Sequence, residues 1–426
     1  MTKNYFLLVK EKNFLYFFIA TLIGVLGEGM FGLTSIVLIL SKTGSAFEVG
    51  KMFVLTLFPS VILAPFAGVL IDRYDKRKIA VLCNLVRLIA ILIIPVSFYA
   101  GVFTISIFSI SIFFSYIAWY ILEPTKESIL KSILDKDHYQ QGIALVQGAW
   151  QVGLLASAVI AGIVIDWIGV EFSILISGMT YLPAAIFFLL IKRPQIPLTV
   201  EQESHPFSLK KYTNVFWEGW TYFLQNKKAK FFILTTSVTL PYFYGINVLI
   251  APFNHHVLNG TGTTLGLIDS GAGIGSLLSA MICTFLAAKM NSQKYLFASI
   301  ILLGVSTVLF SLTNSVLVAF FTYIIIGFFI GNVKVLSRTL VFDFVEEKFI
   351  GRVMTTVSLL SLAQAIIMSL LVSYLADKSI LFSYITISFL LIFPLLYTIM
   401  GIKAAKEAAR YDQSSRKEHF FRGKTI

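Results

Sequence analysis

Residues 68–78 read GVLIDRYDKRK, a short charged stretch with an apolar run on either side. Upstream, Glu48 and Lys51 open residues 46–71, and the remainder of that run carries no charge. Downstream, residues 79–99 are apolar apart from Asn84, Arg87 and Ser97. A membrane-spanning helix needs about 20 mostly apolar residues. The charged stretch is therefore a tight connection between two membrane crossings. Arg73, Lys76, Arg77 and Lys78 assign it to the cytoplasmic side, because Lys and Arg are retained there during insertion.

The same pattern repeats along the whole chain of 426 residues. Apolar runs occupy residues 13–40, 46–71, 79–99, 102–122, 143–165 and 172–191. After a polar interruption they resume at 231–252, 265–288, 295–312, 316–335, 353–375 and 380–402. The expected fold is an all-α membrane protein of twelve transmembrane helices in two six-helix bundles. Residues 1–192 form the first bundle and 231–402 the second. Residues 193–230 form a cytoplasmic linker, and 403–426 a basic cytoplasmic tail. Composition agrees: 57% of residues are hydrophobic and 13% charged, against roughly 45–50% and 25% in soluble domains. A soluble chain this apolar could not cover its own surface.

Charge supports the even span count and sets the orientation. With the N-terminus inside, only Lys42, Lys51 and Lys378 of the 34 Lys and Arg fall outside, and Arg87 lies within a span. A missed helix would scramble that asymmetry. The net charge of +12 is then topological: it faces anionic membrane lipid, and no nucleic-acid partner is needed to explain it. The expected location is the bacterial inner membrane, with both termini cytoplasmic. In the linker, Phe207, Leu209, Tyr212, Val215, Phe216, Trp220, Phe223 and Leu224 recur at helical spacing. They predict an amphipathic helix on the cytoplasmic leaflet, tethering two bundles that rock against each other.

The halves echo one another. Span four leaves its apolar run at Glu123 and Pro124 and reaches Gly142; span ten leaves at Asn332 and reaches Gly351. Parallel six-helix repeats are a known transporter architecture. The 68–78 stretch, with Gly68, Leu70, Asp72, Arg73, Arg77 and Lys78, resembles the signature loop of the major facilitator superfamily. That resemblance implies a conformational-switch loop in which Asp72 faces the positive N-terminal end of span eleven, near Gly351. Residues 217–226 (WEGWTYFLQN) and the Glu123–Pro124 connection are similar to the drug- and macrolide-efflux branch, which includes siderophore exporters. Antiporters of this kind carry Gly-Pro-x-x-Gly-Gly in span five. Here Gly153, Ser157, Ala158, Ala161 and Gly162 keep the small residues without the proline.

Buried polar groups supply candidate site residues. Glu28 sits in the middle of span one between Gly27 and Gly29. A charge at that depth costs at least about 2.5–3.5 kcal/mol, so it must be protonated, paired or in a wet cavity. The resemblance places first spans on the central cavity, making Glu28 a candidate for proton coupling or substrate binding. Gln147, Gln151, Tyr242, Tyr244 and Asn247 are further cavity candidates, and Asp269 is expected at the outer mouth. Arg87 is expected in a structural ion pair, with Glu123 as the chosen partner and Glu127 or Glu28 as alternatives.

Other classes fit less well. The five histidines lie in loops, the tail or span ends, and no span carries the paired acids of an intramembrane enzyme. Cys83 and Cys283 stand alone in different halves, without metal-ligand spacing. No glycine loop for ATP is present, which disfavours a primary pump. A sensor or scaffold on the same fold is the rival from another class. The expected function is secondary export of amphiphilic drugs such as macrolides by proton antiport, or else of a siderophore, peptide or lysolipid. The expected partners are a small-molecule substrate, protons and membrane lipid. The chain is read as a monomer without cofactor or metal.

Overall fold

The computed structural model describes residues 8, 10–192, 209–404, 406 and 407. The described residues form helices and no strand. The first half comprises α1 (Lys12–Thr43), α2 (Ala46–Arg73), α3 (Lys76–Tyr99), α4 (Ile105–Ile133), α5 (Lys136–Ile168) and α6 (Val170–Leu190). A linker helix, Leu209–Gln225, precedes the second half. That half comprises α7 (Ala229–His256), α8 (Gly262–Met290), α9 (Ser292–Ser311), α10 (Val316–Phe344), α11 (Ile350–Ala376) and α12 (Ile380–Ala404). Eleven of these are long and apolar enough to cross a membrane. The 28-residue α2 lies between two of them and completes the twelve. Helices α4, α5 and α10 run well past their apolar runs, because backbone hydrogen bonding continues after the helix leaves the apolar layer.

Three spans are broken, each for the same reason. Helical segments end at Met179 in α6, Ser237 in α7 and Leu390 in α12. Each end lies four residues before a proline: Pro183, Pro241 or Pro394. A proline ring clashes with the carbonyl four residues earlier and offers it no N–H, and at these three positions the helix is interrupted, whereas Pro95, Pro124 and Pro252 sit inside helices that continue.

Packing in lipid depends on close fit and interhelical hydrogen bonds rather than on hydrophobic burial. A methyl group on Gly275 or Gly327 would collide with backbone across the α8–α10 contact. Asn332 of α10 accepts a hydrogen bond from Ser279 of α8 at 2.8 Å and donates one to Tyr295 of α9 at 2.8 Å. Thr34 and Ser173 join α1 to α6 at 2.7 Å. Such bonds contribute about 0.6 kcal/mol each. Tyr242, expected in the cavity, instead lies in the core of the second bundle. It is 2% exposed, its hydroxyl is 2.5 Å from that of Thr307, and its phenol exploits a polar partner that a core phenylalanine would lack.

The linker helix docks on the second half. Glu218 pairs with Arg352 at 2.8 Å, Tyr222 stacks on Phe349 at 4.5 Å, and Gly219 meets the Arg352 carbonyl so closely that a side chain would not fit. Of the apolar positions expected on the leaflet, Phe207 and the side chains of Leu209, Tyr212, Val215 and Phe216 lie outside the described residues. Phe223, one of the others, is buried.

Candidate functional site

Glu28 and Arg87 form the electrostatic centre of the first bundle. The Arg87 guanidinium lies 3.8 Å from the Glu28 carboxylate and 4.2 Å above the Tyr181 ring of α6. Flanking glycines make this possible. A side chain at Gly27 would strike Thr180 and Ser177 of α6, and one at Gly29 would strike Ser157 of α5. Their absence lets both helices close on α1 around the acid. Glu28 keeps a side-chain exposure of 18%, whereas Arg87 keeps 3%. The acid is therefore the member that a ligand can reach. This geometry corrects the expected pairing of Arg87 with Glu123. Glu123 pairs one turn along its own helix with Lys126, at 2.5 Å, leaving Arg87 to the acid facing it from α1.

Aromatic side chains surround the acid. Tyr116, Tyr120 and Tyr244 lie in its electrostatic neighbourhood. The Trp119 indole approaches the carboxylate without reaching hydrogen-bond geometry, and stands 4.8 Å edge-on to Tyr120. Tyr244 belongs to the second half. It stands edge-on to Phe53 of α2 at 5.5 Å and beside Thr56, so it brings α7 against the first half near the acid. Gln151 also crosses between halves, reaching the Gly273 carbonyl at 3.5 Å. Gln147 is exposed one turn away from it. Asn247 donates one amide N–H to the Phe243 carbonyl of its own helix at 2.7 Å, which leaves its second N–H and its carbonyl oxygen for a ligand.

The two halves meet on one side of the membrane. Among the described residues, the hydrogen bonds and glycine contacts between bundles run from mid-membrane to the face opposite the basic loops. One seam joins α5 to α8, where Gly162 meets the Gly262 backbone and Gly266 the Ala158 carbonyl. The other joins α2 to α11, where Gly50 meets Ser373 and Phe47 stands edge-on to Tyr374 at 6.3 Å.

Each seam ends in a carboxylate on a helix N-terminus of the other half. Asp166, near the end of α5, accepts from the Gly262 and Thr263 amides of α8, both at 2.7 Å. Asp377, closing α11, accepts from the Ser45 hydroxyl at 2.7 Å and from the Ala46 and Phe47 amides of α2 at 2.6 and 3.4 Å. The first amides of a helix lack partners and carry a positive partial charge, so each acid satisfies them across the seam. Sequence reasoning missed this pair of latches. Its only trace was an acid at the end of an apolar run, which is ordinary at a membrane surface.

The 68–78 loop lies at the opposite, basic face. Asp75 caps α3, accepting from the Arg77 amide at 3.0 Å and its guanidinium at 3.3 Å. Partial burial pushes its carboxyl up, but these bonds outweigh that and hold it below the usual range. The Arg77 guanidinium also donates to the Ile191 carbonyl at 2.5 Å, placing a cation at the negative end of α6. Leu70, Arg73 and Lys78 are exposed. The surroundings of Gly68 and the side chain of Asp72 lie outside what the structure describes. The contact between α2 and α11 described above lies at the other face, far from this loop. Among the described residues no cluster of His, Cys, Asp or Glu could hold a metal ion.

Known proteins share this layout. Residues 17–361 match the Major Facilitator Superfamily. An uncharacterized MFS-type transporter of Bacillus subtilis, YkuC, is 24% identical over 81% of both chains. The lysophospholipid transporter LplT of Photorhabdus laumondii is 22% identical, over 64% of this chain and 65% of its own. Macrolide efflux protein A of Streptococcus pyogenes is 20% identical, over 76% of this chain and 80% of its own. In three dimensions the chain superposes on the nucleoside transporter NupG with a TM-score of 0.73 at 12% identity, covering 92% of this chain and 99% of that one. With the match spanning most of both halves, the chain belongs to the Major Facilitator Superfamily and is a multi-pass membrane transporter.

Proposed function

We propose that the protein exports amphiphilic drugs such as macrolides from the cytoplasm by proton antiport, with alternating access between the two bundles. One observation carries this reading. A carboxylate that remains reachable, Glu28, stands at mid-membrane among Tyr116, Trp119, Tyr120, Tyr244 and Phe53, near the junction of the halves. An amine on an apolar body fits such a place: the acid receives the charge, and the rings receive the body by stacking and cation–π contact. The similarity to macrolide efflux protein A supports the substrate class. Protons and substrate amine compete for Glu28, which is the minimum required for exchange. A second reading, movement of a lysolipid or peptide, draws on Arg87 beside Glu28, since the pair offers both signs of charge, and on the likeness to LplT. Screening a substrate library in an efflux-deficient host tests both. Raised tolerance to cationic amphiphiles supports the first; resistance unchanged across the library, with lysolipid uptake restored, supports the second.

The basic face is read as cytoplasmic in a bacterial inner membrane, with both termini on that side and the chain acting as a monomer. The form described is then closed outside and open inside. Cysteines at Ser132 and Lys211 are expected to react with a membrane-impermeant thiol reagent only from the cytoplasmic side, and one at Thr43 only from outside. Labelling of Lys211→Cys in intact cells overturns this orientation.

The Asp72 loop is proposed to act in the other half of the cycle. With the outside open, Asp72 reaches the N-terminus of α11 and holds the cytoplasmic ends together. A charge there contributes about 0.3–1 kcal/mol. Asp72→Asn should therefore slow turnover about two- to fivefold at unchanged expression, as read by initial transport rates. Wild-type rates would reduce the loop to a topological signal.

A further inference from the structure

We infer that Asp269 of α8 is a second coupling residue, whose protonation allows the α5–α8 seam to close. The inference rests on the antiport reading above. Asp269 lies seven residues from the start of α8, about 10 Å below the end of the helix at 1.5 Å per residue. At 100° per residue it sits about 40–60° around the helix from Gly266 and Gly273. Those two glycines are pressed against Ala158 and Leu155 of α5. It points roughly 120–180° away from Leu267, Leu278, Met281 and Phe285, which are exposed on the outside of the bundle. The carboxylate therefore faces inward along the edge of the seam rather than toward lipid.

Unlike Asp166, Asp377 and Glu28, it is held by nothing among the described residues. Asp166 has two amides, Asp377 two amides and a hydroxyl, and Glu28 has Arg87. Among the described residues Asp269 has no hydrogen bond or ion pair. The one titratable side chain in its electrostatic reach is Tyr323 of α10. From α5 the titratable group in this half of the membrane is Asp166, bound at the seam's end. Helices α7 and α9 bring no charged or titratable group into its reach among the described residues.

An unpaired carboxylate beside a dry helix contact disfavours closure when ionised and tolerates it when neutral. The order of events follows. With the seam open, Asp269 is hydrated and takes a proton from the outer water. The seam then closes over the neutral acid, and Asp166 regains its amides. Asp269 remains partly exposed in the closed form, so the proton leaves into the cavity on the other side. Through Asp269 one proton enters from outside and one leaves inside per cycle. Glu28 exchanges its own proton for the substrate, and the proton carried by Asp269 is a second one that ties the outer gate to the pH outside.

The test uses the full-length protein in nanodiscs, spin-labelled at Val102 and Asn314, exposed positions in turns of the two halves on the closed face. Distance distributions are recorded from pH 5.5 to 8.5. In the wild type the closed-to-open ratio is expected to fall with rising pH by up to about tenfold per unit, the ceiling for one proton. Asp269→Asn should be closed at every pH, and Asp269→Glu should restore the dependence. Persistence of the pH response in Asp269→Asn, or no response in the wild type, overturns the inference. Substrate binding and pH-driven uptake are measured on the same samples. A wild type that binds no amphiphile refutes the export reading. Asp269→Asn that keeps both normal binding and pH-driven accumulation refutes only the coupling role.

Discussion

Glu28→Gln should eliminate uphill, pH-driven accumulation of cationic substrate in proteoliposomes, while slow downhill exchange continues. The substitution keeps the size of the side chain and removes both its charge and its proton. A charge-assisted hydrogen bond contributes about 1.5–3 kcal/mol, so affinity for the substrate amine should fall roughly ten- to a hundredfold. Neutral analogues should lose much less. Arg87 complicates the experiment. Removing Glu28 strands a guanidinium that is 3% exposed, and an uncompensated buried charge costs about 3–5 kcal/mol. Low expression alone would then be uninformative. The double variant Glu28→Gln/Arg87→Met removes both charges and should regain expression without regaining accumulation. Accumulation by that double variant at the wild-type rate would show that the pair is structural.

Removing both latches should open the closed face. Each carboxylate caps a helix of the opposite half, and a cap contributes up to about 1 kcal/mol, with water trimming both shares because Asp166 and Asp377 are exposed. The two sites are separate and their effects should add. Together they hold about 1–2 kcal/mol, so Asp166→Ala/Asp377→Ala should shift the ratio of the two forms roughly five- to thirtyfold toward opening on that side. A cysteine at Ala158, buried at 4% in the α5–α8 seam, reports this directly. It should react slowly with an impermeant reagent in the parent and rapidly in the double variant. The Asp166→Asn/Asp377→Asn variant keeps an acceptor oxygen at each site and should fall between. Equal labelling rates in all three would mean that the glycine contacts close the seam unaided.

The latches and the signature loop occupy opposite ends of the same helices. Helix α2 begins under Asp377 and ends at Arg73, in the loop that carries Asp72. One carboxylate-to-helix contact is present in the form described, and the other is proposed for its counterpart. Rocking the bundles would exchange them, which is a physical basis for two stable forms with few populated between.

Much of this protein was written in local chemistry. Lipid demands about twenty apolar residues per crossing, and insertion sorts lysine and arginine to one side. Span number and the two-bundle plan were therefore readable from the chain by itself, though not where α4, α5 and α10 end beyond the apolar layer. The place of Glu28 within span one was readable too, but the proline breaks were not, because Pro95, Pro124 and Pro252 sit inside helices that run on unbroken. Pairing was not readable. Arg87 had Glu28, Glu123 and Glu127 within plausible reach, and choosing among them needs the rotation of α1 against α3, which periodicity leaves free. Tyr242 and Tyr244 are two residues apart on one helix. One is sealed beside Thr307 and the other meets Phe53, because 200° of helical rotation points them at different neighbours. Asp166, Asp269 and Asp377 were alike in sequence: single acids at or near a span's end. Only the tertiary structure separates two that cap a helix across a seam from one that faces the seam with nothing to hold. A carboxylate's role depends on which donors another helix brings to it, and those donors come from residues about a hundred or several hundred positions away in the chain.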